Sequence, residues 1–282
     1  MAVSPQDVKK LRDKTGAGML DCKNALVKAD GDFAAAEKIL KEQGLASADK
    51  RVGRATDCGA VFSHIGDGKA AMAEVTCETD FVAKNEVFRT AGQKIATAVA
   101  ASGKAEKSDE LELMVKEAIA ILKENMLLGD LACWDVAETD CVAHYAHNGG
   151  QIGVLVKLAC DSAATAAKDE VKALANDLAL HVAAYNPAYL DRSAVDQAYL
   201  KEQEDIFTTQ ANNLGDKPEK VIKGIVQGKL NKHLAGICFV DQGFVKEDKK
   251  AVKQVVADLA KEVGGEISLV DYCYIAVGQS ED

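Results

Sequence analysis

Apolar positions along the chain follow two rhythms, and the change between them marks its parts. In the first 45 residues Val8 and Leu11, then Met19, Leu20, Cys22, Ala25 and Leu26, then Ala36, Ile39 and Leu40 recur at helical spacing. Polar punctuation separates the three groups. Ser4-Pro5 reads as a cap followed by proline at the first helical position. Thr15-Gly16 ends the first group, and Asp30-Gly31-Asp32 breaks the second and supplies Asp32 as cap for the third. Gly44 reads as the end of the third helix. Three helices of this length form a bundle that is marginal alone. Residues 46–58, polar, basic and rich in small side chains, read as a linker.

From Gly59 the rhythm changes to that of strands, and the pattern occurs twice at a constant offset of 83 residues. Ala60 falls on Ala143, Phe62 on Tyr145, His64 on His147, Gly66 on Gly149, Cys77 on Cys160, and Val99-Ala100-Ala101 on Val182-Ala183-Ala184. Each copy reads strand, glycine turn, strand, helix. The strands are expected near 60–65 and 70–77, and again near 141–146 and 152–160. Phe88, Ala91, Ile95 and Val99 stripe the first helix; Val171, Leu174, Leu178 and Val182 stripe the second. A polar loop over 102–110 leads to a helix expected from about 110 to 128, striped by Leu111, Val115, Ile119 and Leu122.

The second copy carries an insertion. A helix is expected over 191–213, with Val195, Tyr199, Ile206 and Phe207; then a turn Leu214-Gly215-Asp216-Lys217; then a helix opened by Pro218, with Val221, Ile225 and Leu230. A strand near 237–241, a helix over 249–263 and a strand near 272–277 complete the copy. The expected class is α+β, with helices on one face of each of two antiparallel sheets. The expected division is 1–54, 55–140 and 141–282, with the helical hairpin inserted at about 188–234.

Composition narrows the function. The 282 residues carry a net charge of −10, but the first 54 carry +3 and the remainder −13. This balance argues against a large nucleic-acid footprint. There is no run of about 18 apolar residues to cross a membrane. The opening Met1-Ala2-Val3-Ser4-Pro5 is neither a signal segment nor a transit peptide, so the cytoplasm is expected. None of the eight cysteines stands in a C-x-x-C or zinc-finger spacing. Cys141, His144 and His147 come nearest to a metal cluster, but His144 and His147, three apart on a strand, face opposite sides. No cofactor, metal or catalytic centre is expected. Gly16-Ala17-Gly18 follows no strand pattern and is not read as a nucleotide loop.

Two segments carry a family resemblance that covers essentially the whole chain. Thr15-Gly16-Ala17-Gly18-Met19-Leu20-Asp21-Cys22-Lys23 and Glu74-Val75-Thr76-Cys77-Glu78-Thr79-Asp80-Phe81-Val82-Ala83 resemble the two signatures of the bacterial elongation factor Ts family. Residues 145–156 are similar to its core hairpin, and Gln242-Gly243-Phe244-Val245 to a Q-P-F-V stretch after its helical hairpin. The resemblance implies a ubiquitin-associated-like three-helix head, two core subdomains and a dimerisation hairpin, which leaves open pairing with a second copy. It implies a nucleotide exchange factor for elongation factor Tu in its GDP form, acting in translation elongation without covalent chemistry, nucleic acid or membrane. Asp80 and Phe81, flanked by Thr79 and Val82, would then insert near the nucleotide and dislodge Mg²⁺. Met19, Leu20 and Lys23 would touch the partner from the head, and His147 from the other arm. The alternative is an adaptor or scaffold that binds without changing nucleotide release.

Each of these residues also has a plainer reading. On pattern alone Asp80 reads first as a helix cap and Phe81 as core; Met19 and Leu20 suit the bundle core, with at least one expected there; Lys23 suits a solvated surface and His147 a turn. In the second copy, Thr79-Asp80-Phe81 falls on Ser162-Ala163-Ala164, which lacks the aromatic. The chain departs from the family pattern at Asn148, usually glycine, at Gln151, usually arginine, at Gly129-Asp130, where a basic pair is common, and at Cys58, usually an acid. The first three bear on contacts around Asn125 and His147.

Overall fold

The computed structural model describes residues 3–213, 215 and 218–279. The fold is α+β, and packing divides it into two compact units. The first holds the chain to Asp135 together with 146–153 and the segment from Ile275; the second holds 136–145 and 154–274.

The first unit opens with α1 (Pro5–Thr15), α2 (Met19–Lys28) and α3 (Phe33–Asp49). Ser4 and Asp7 form a reciprocal capping box, Gly16 closes α1 at φ 68°, and Asp32 caps α3 by accepting from the Ala35 N–H at 2.9 Å. Val8, Leu11, Cys22, Ala25, Leu26 and Ala36 make the small core. Gly44 does not end α3, which runs on to Asp49. A Cβ there would stand 2.5 Å from the Ala120 Cβ, so this glycine lets α3 approach the neighbouring helix closely.

The strands β1 (Cys58–Gly66), β2 (Lys69–Cys77) and β3 (Met126–Asp135) form an antiparallel sheet in that order. Cys58 stands opposite Cys77 and Phe62 opposite Ala73, and a bulge interrupts the β2–β3 register between Ala73 and Val75. Between β2 and β3 come α4 (Asp80–Ala83), α5 (Glu86–Ser102) and α6 (Asp109–Leu122). Phe88, Ile95 and Val99 of α5 and Leu111, Val115 and Ile119 of α6 share one core with the sheet. The helix expected to reach 128 stops at Leu122, where Lys123 turns left-handed at φ 64°. Met126, Leu127 and Leu128 begin β3 instead. Their spacing continues the helical stripe, and no glycine or proline announces the stop.

The strands β4 (Asp140–His147), β5 (Ile152–Cys160) and β8 (Ile267–Ala276), most of whose residues belong to the second unit, form a sheet in the order β4-β5-β8. The helices α7 (Ala163–Ala166) and α8 (Asp169–Tyr185) follow β5. Shifted by 83, β2 becomes β5, α4 becomes α7 and α5 becomes α8, residue for residue. The inserted α9 (Gln197–Asn212) starts later than expected, because 192–194 form a single 3-10 turn and Asp196 is the cap. Leu214, Asp216 and Lys217 of the expected turn lie outside the described residues. Then come α10 (Glu219–Ile237), the short β6 (Gly243–Phe244) and β7 (Glu247–Ala251), and α11 (Val252–Val263). The strand expected over 237–241 shrinks to a single parallel bridge between Cys238 and Tyr189: α10 ends at Ile237 and a 3-10 turn covers 239–241. Among the described residues no helix is long and apolar enough to cross a membrane.

Gln242-Gly243-Phe244-Val245 clasps the base of this insertion. Gln242, 4% exposed, donates to the Gly236 carbonyl at 2.8 Å and pairs its Oε1 with His181 Nε2 at 2.9 Å. The Val245 N–H donates to His181 Nδ1 at 3.1 Å, which makes that nitrogen the acceptor and leaves the proton on Nε2. Tyr185, Phe239 and Phe244 stack around the ring. Burial lowers the pKa of His181, and also that of His144, whose Nε2 is buried without a partner. Acid is therefore expected to loosen this unit. Unfolded imidazoles gain protons as pH falls through about 6.5, while the folded ones resist, so stability is lost in that window. The thermal midpoint is therefore expected to drop as pH is lowered from about 7.5 to 5.5, above the carboxylate range. A thermal midpoint flat across this interval would contradict the assignment.

Candidate functional site

The helix α4 is a single turn held between two caps. Thr79 has extended backbone, and its Oγ1 accepts from the Val82 N–H at 3.3 Å. The cap is thus Thr79, not Asp80, which occupies the first helical position. Asn85 caps the following α5 by accepting from the Val87 N–H at 2.8 Å. Val82 packs against the core and Ala83 is buried. Phe81 faces the other way and is 82% exposed, which excludes the core reading. Asp80 accepts from Lys84 Nζ at 2.7 Å, four residues on, and this bond holds its carboxyl below the usual carboxylate range. The turn therefore presents an ionised carboxylate beside a bare aromatic ring.

A polar frame lies behind the turn. Glu124 accepts from the Thr79 N–H at 3.0 Å and from Thr79 Oγ1 at 2.7 Å. Glu78 accepts from the Asn125 N–H at 2.6 Å and pairs with Arg54 at 3.3 Å. Asn125 Nδ2 donates to the Arg54 carbonyl at 2.7 Å, and Asn125 is 1% exposed. Asn125 is thus turned inward and serves the frame. Cys77 donates to the Thr79 carbonyl at 3.2 Å; burial, with Glu124 and Cys58 adding to it, pushes its thiol up to about 12. A thiol so rarely ionised is a packing group and a weak donor.

On α2, Met19 and Leu20 are 46% and 68% exposed, so neither is bundle core. Lys23 and Val27 are exposed one and two turns further on, and Cys22, Ala25 and Leu26 take the inner face. The adjoining Asp21 approaches Lys123 at 3.9 Å, so the segment 123–125 touches both α2 and the frame of α4.

His147 is exposed at the end of β4, at the start of a turn in which Asn148, Gly149 and Gly150 all have positive φ. Arg89 of α5 donates to the Gly149 carbonyl at 2.6 Å, and a Cβ on Gly150 would crowd Ala60 and Val61. Asn tolerates the left-handed region better than other non-glycine residues, and Asn148 donates its amide to Gln151 Oε1. These two departures from the family pattern thus partner each other. Sequence reasoning left the role of Glu124 unread, since a half-buried carboxylate at a helix end has no local signature.

An exposed aromatic on an anchored turn and an apolar helix face are features of a protein-binding surface rather than of a catalytic pocket. A family model described as elongation factor TS matches residues 78–279. The chain is 44% identical to the elongation factor Ts of Borrelia hermsii over 279 residues, 99% of this chain and 100% of the relative. It is 43% identical to that of Treponema denticola over 269 residues, 95% and 96% of the two chains. With that of Borreliella burgdorferi it shares 43% over 277 residues, 98% and 99%. The chain belongs to the elongation factor Ts family.

Proposed function

We propose that this protein is a nucleotide exchange factor for elongation factor Tu, binding the GDP form in the cytoplasm and speeding GDP release during translation elongation. The observation that carries the mechanism is Phe81, held 82% exposed on a capped turn beside an ionised Asp80. In this reading Thr79 and Val82 seat the turn, Phe81 wedges into the partner near its nucleotide, and Asp80 disturbs the environment of the bound Mg²⁺. Mg²⁺ demands near-ideal octahedral geometry, so a small displacement of one ligand or helix weakens the nucleotide considerably. Met19, Leu20 and Lys23 on α2 hold the partner, and His147 adds a second hold. The first 54 residues act as the head and the two sheet-bearing segments as the arms.

No bond is made or broken in this scheme. If the factor weakens GDP, GDP weakens the factor equally, so an incoming nucleotide displaces it. Added at a few per cent of the partner's concentration, the protein is expected to speed release of a fluorescent GDP analogue from elongation factor Tu of the same organism by at least tenfold. Binding without acceleration would turn the assignment to an adaptor.

A further inference from the structure

We infer that Glu124 is the positioning residue of α4, fixing the turn that carries Phe81 from a different element of the chain; this rests on the reading of α4 as the part that acts on the partner. A helix of four residues cannot hold its own shape in water, because one turn repays little of its nucleation cost. Its orientation must come from anchors. Val82 and Ala83 give an apolar floor, but an apolar contact fixes direction only loosely. The directional anchor is the carboxylate of Glu124.

A threonine hydroxyl has one proton and rotates freely. Here Oγ1 donates to Glu124 at 2.7 Å, which commits the proton to that side and leaves a lone pair for the Val82 N–H at 3.3 Å. The other carboxylate oxygen takes the Thr79 N–H at 3.0 Å. Two bonds from one rigid group to the backbone and side chain of one residue fix that residue's rotation as well as its place. Glu124 is itself fixed. Lys123 before it is left-handed at φ 64°, its carbonyl accepts from Arg51 at 2.9 Å, and Asn125 after it is buried and bonded through both backbone and side chain.

The repeat supplies an internal control. In α7, Ser162 makes the same cap, its Oγ accepting from the Thr165 N–H at 3.2 Å. There the hydroxyl finds its other partners locally, Thr165 Oγ1 at 3.0 Å and Asp161 at 3.4 Å. Among the described residues the Ser162 hydroxyl bonds only to sequence neighbours, so the fold builds this turn without a remote carboxylate, and the remote brace occurs in the copy whose turn carries an exposed aromatic.

The test compares wild type, Glu124→Ala, Glu124→Gln, Phe81→Ala and the Glu124→Ala/Phe81→Ala double variant in GDP release from elongation factor Tu, with amide hydrogen exchange of the free proteins. Expected for Glu124→Ala is an about tenfold lower maximal release rate, with the half-saturating concentration within about twofold of wild type. Glu124→Gln, which keeps an acceptor for Thr79, should recover about threefold of that. In the Phe81→Ala background, Glu124→Ala should cost less than about twofold more, since both act through one element. In the free protein, Glu124→Ala should speed exchange of the Val82 and Ala83 amides at least tenfold while those of α5 keep their protection. Unchanged Val82 and Ala83 amides, an unslowed Glu124→Ala, or an equal loss in the Phe81→Ala background would each overturn the inference. A wild type that leaves GDP release unchanged would overturn the exchange-factor reading instead, and the amide comparison would still judge the role of Glu124.

Discussion

Phe81→Ala is expected to remove most of the acceleration of GDP release while leaving the protein's own stability untouched. The two halves of this expectation have separate grounds. Phe81 is 82% exposed, so truncating it opens no cavity and strips little buried surface; exposed substitutions of this kind stay within about 0.5 kcal/mol. The position that matches it in the repeat, Ala164, is also exposed and forms the same turn with a methyl group. In the proposed complex the ring would become buried against the partner, where a phenyl group is worth about 1.5–3 kcal/mol. If that burial occurs as the nucleotide leaves, the loss falls on the maximal rate, by about ten- to a hundredfold. The measurement is a saturation curve of release rate against factor concentration, beside a thermal melt. A variant with the wild-type maximal rate would remove Phe81 from the mechanism whatever its affinity.

Much of the fold is legible in the sequence because the same residues are used twice. The offset of 83 that aligns Cys77 with Cys160 also aligns three pairs of elements without a shift, since each boundary depends on local groups: an extended Thr79 or Ser162 as cap, then two small residues turned inward. The errors share a physical cause, namely that a local pattern has a tertiary use. Gly44 reads as a stop but serves a helix–helix approach. Met126-Leu127-Leu128 continues a helical stripe yet belongs to a strand, because the choice is made by pairing with β2. Gly129 reads as a departure from a basic pair. In the fold a side chain there would collide with Glu74, whose buried carboxylate accepts from the Asp130 N–H at 3.0 Å and the Gly278 N–H at 2.8 Å.

The candidate site is less legible for the same reason. Periodicity counts an apolar residue as core and cannot know which helix face stays uncovered, so on pattern alone Phe81 and at least one of Met19 and Leu20 are expected inward. The family resemblance corrects this direction for Phe81 and for α2, but supplies nothing about Glu124. Its contribution depends on a contact 45 residues away and on the left-handed turn at Lys123 that aims it.

The α2 face should respond in the opposite way to Phe81. Met19→Ala/Leu20→Ala is expected to raise the half-saturating concentration about ten- to a hundredfold with little change in the maximal rate. Both side chains are largely exposed, Leu20 at 68%, and the core beneath is made by Cys22, Ala25 and Leu26, so the helix survives the change. Against a partner the two together would bury apolar area worth about 2–3 kcal/mol. Binding energy realised equally before and during nucleotide release lowers the concentration needed and leaves the rate at saturation alone. Lys23→Ala should add a smaller loss that fades with salt, as an exposed charge does. The alternative outcome has a physical route, because Asp21 of α2 approaches Lys123 at 3.9 Å and Glu124 holds α4. Were the double variant to lower the maximal rate as Phe81→Ala does, α2 would be acting on α4 through this segment, and the separation of a holding face from a working turn would fail.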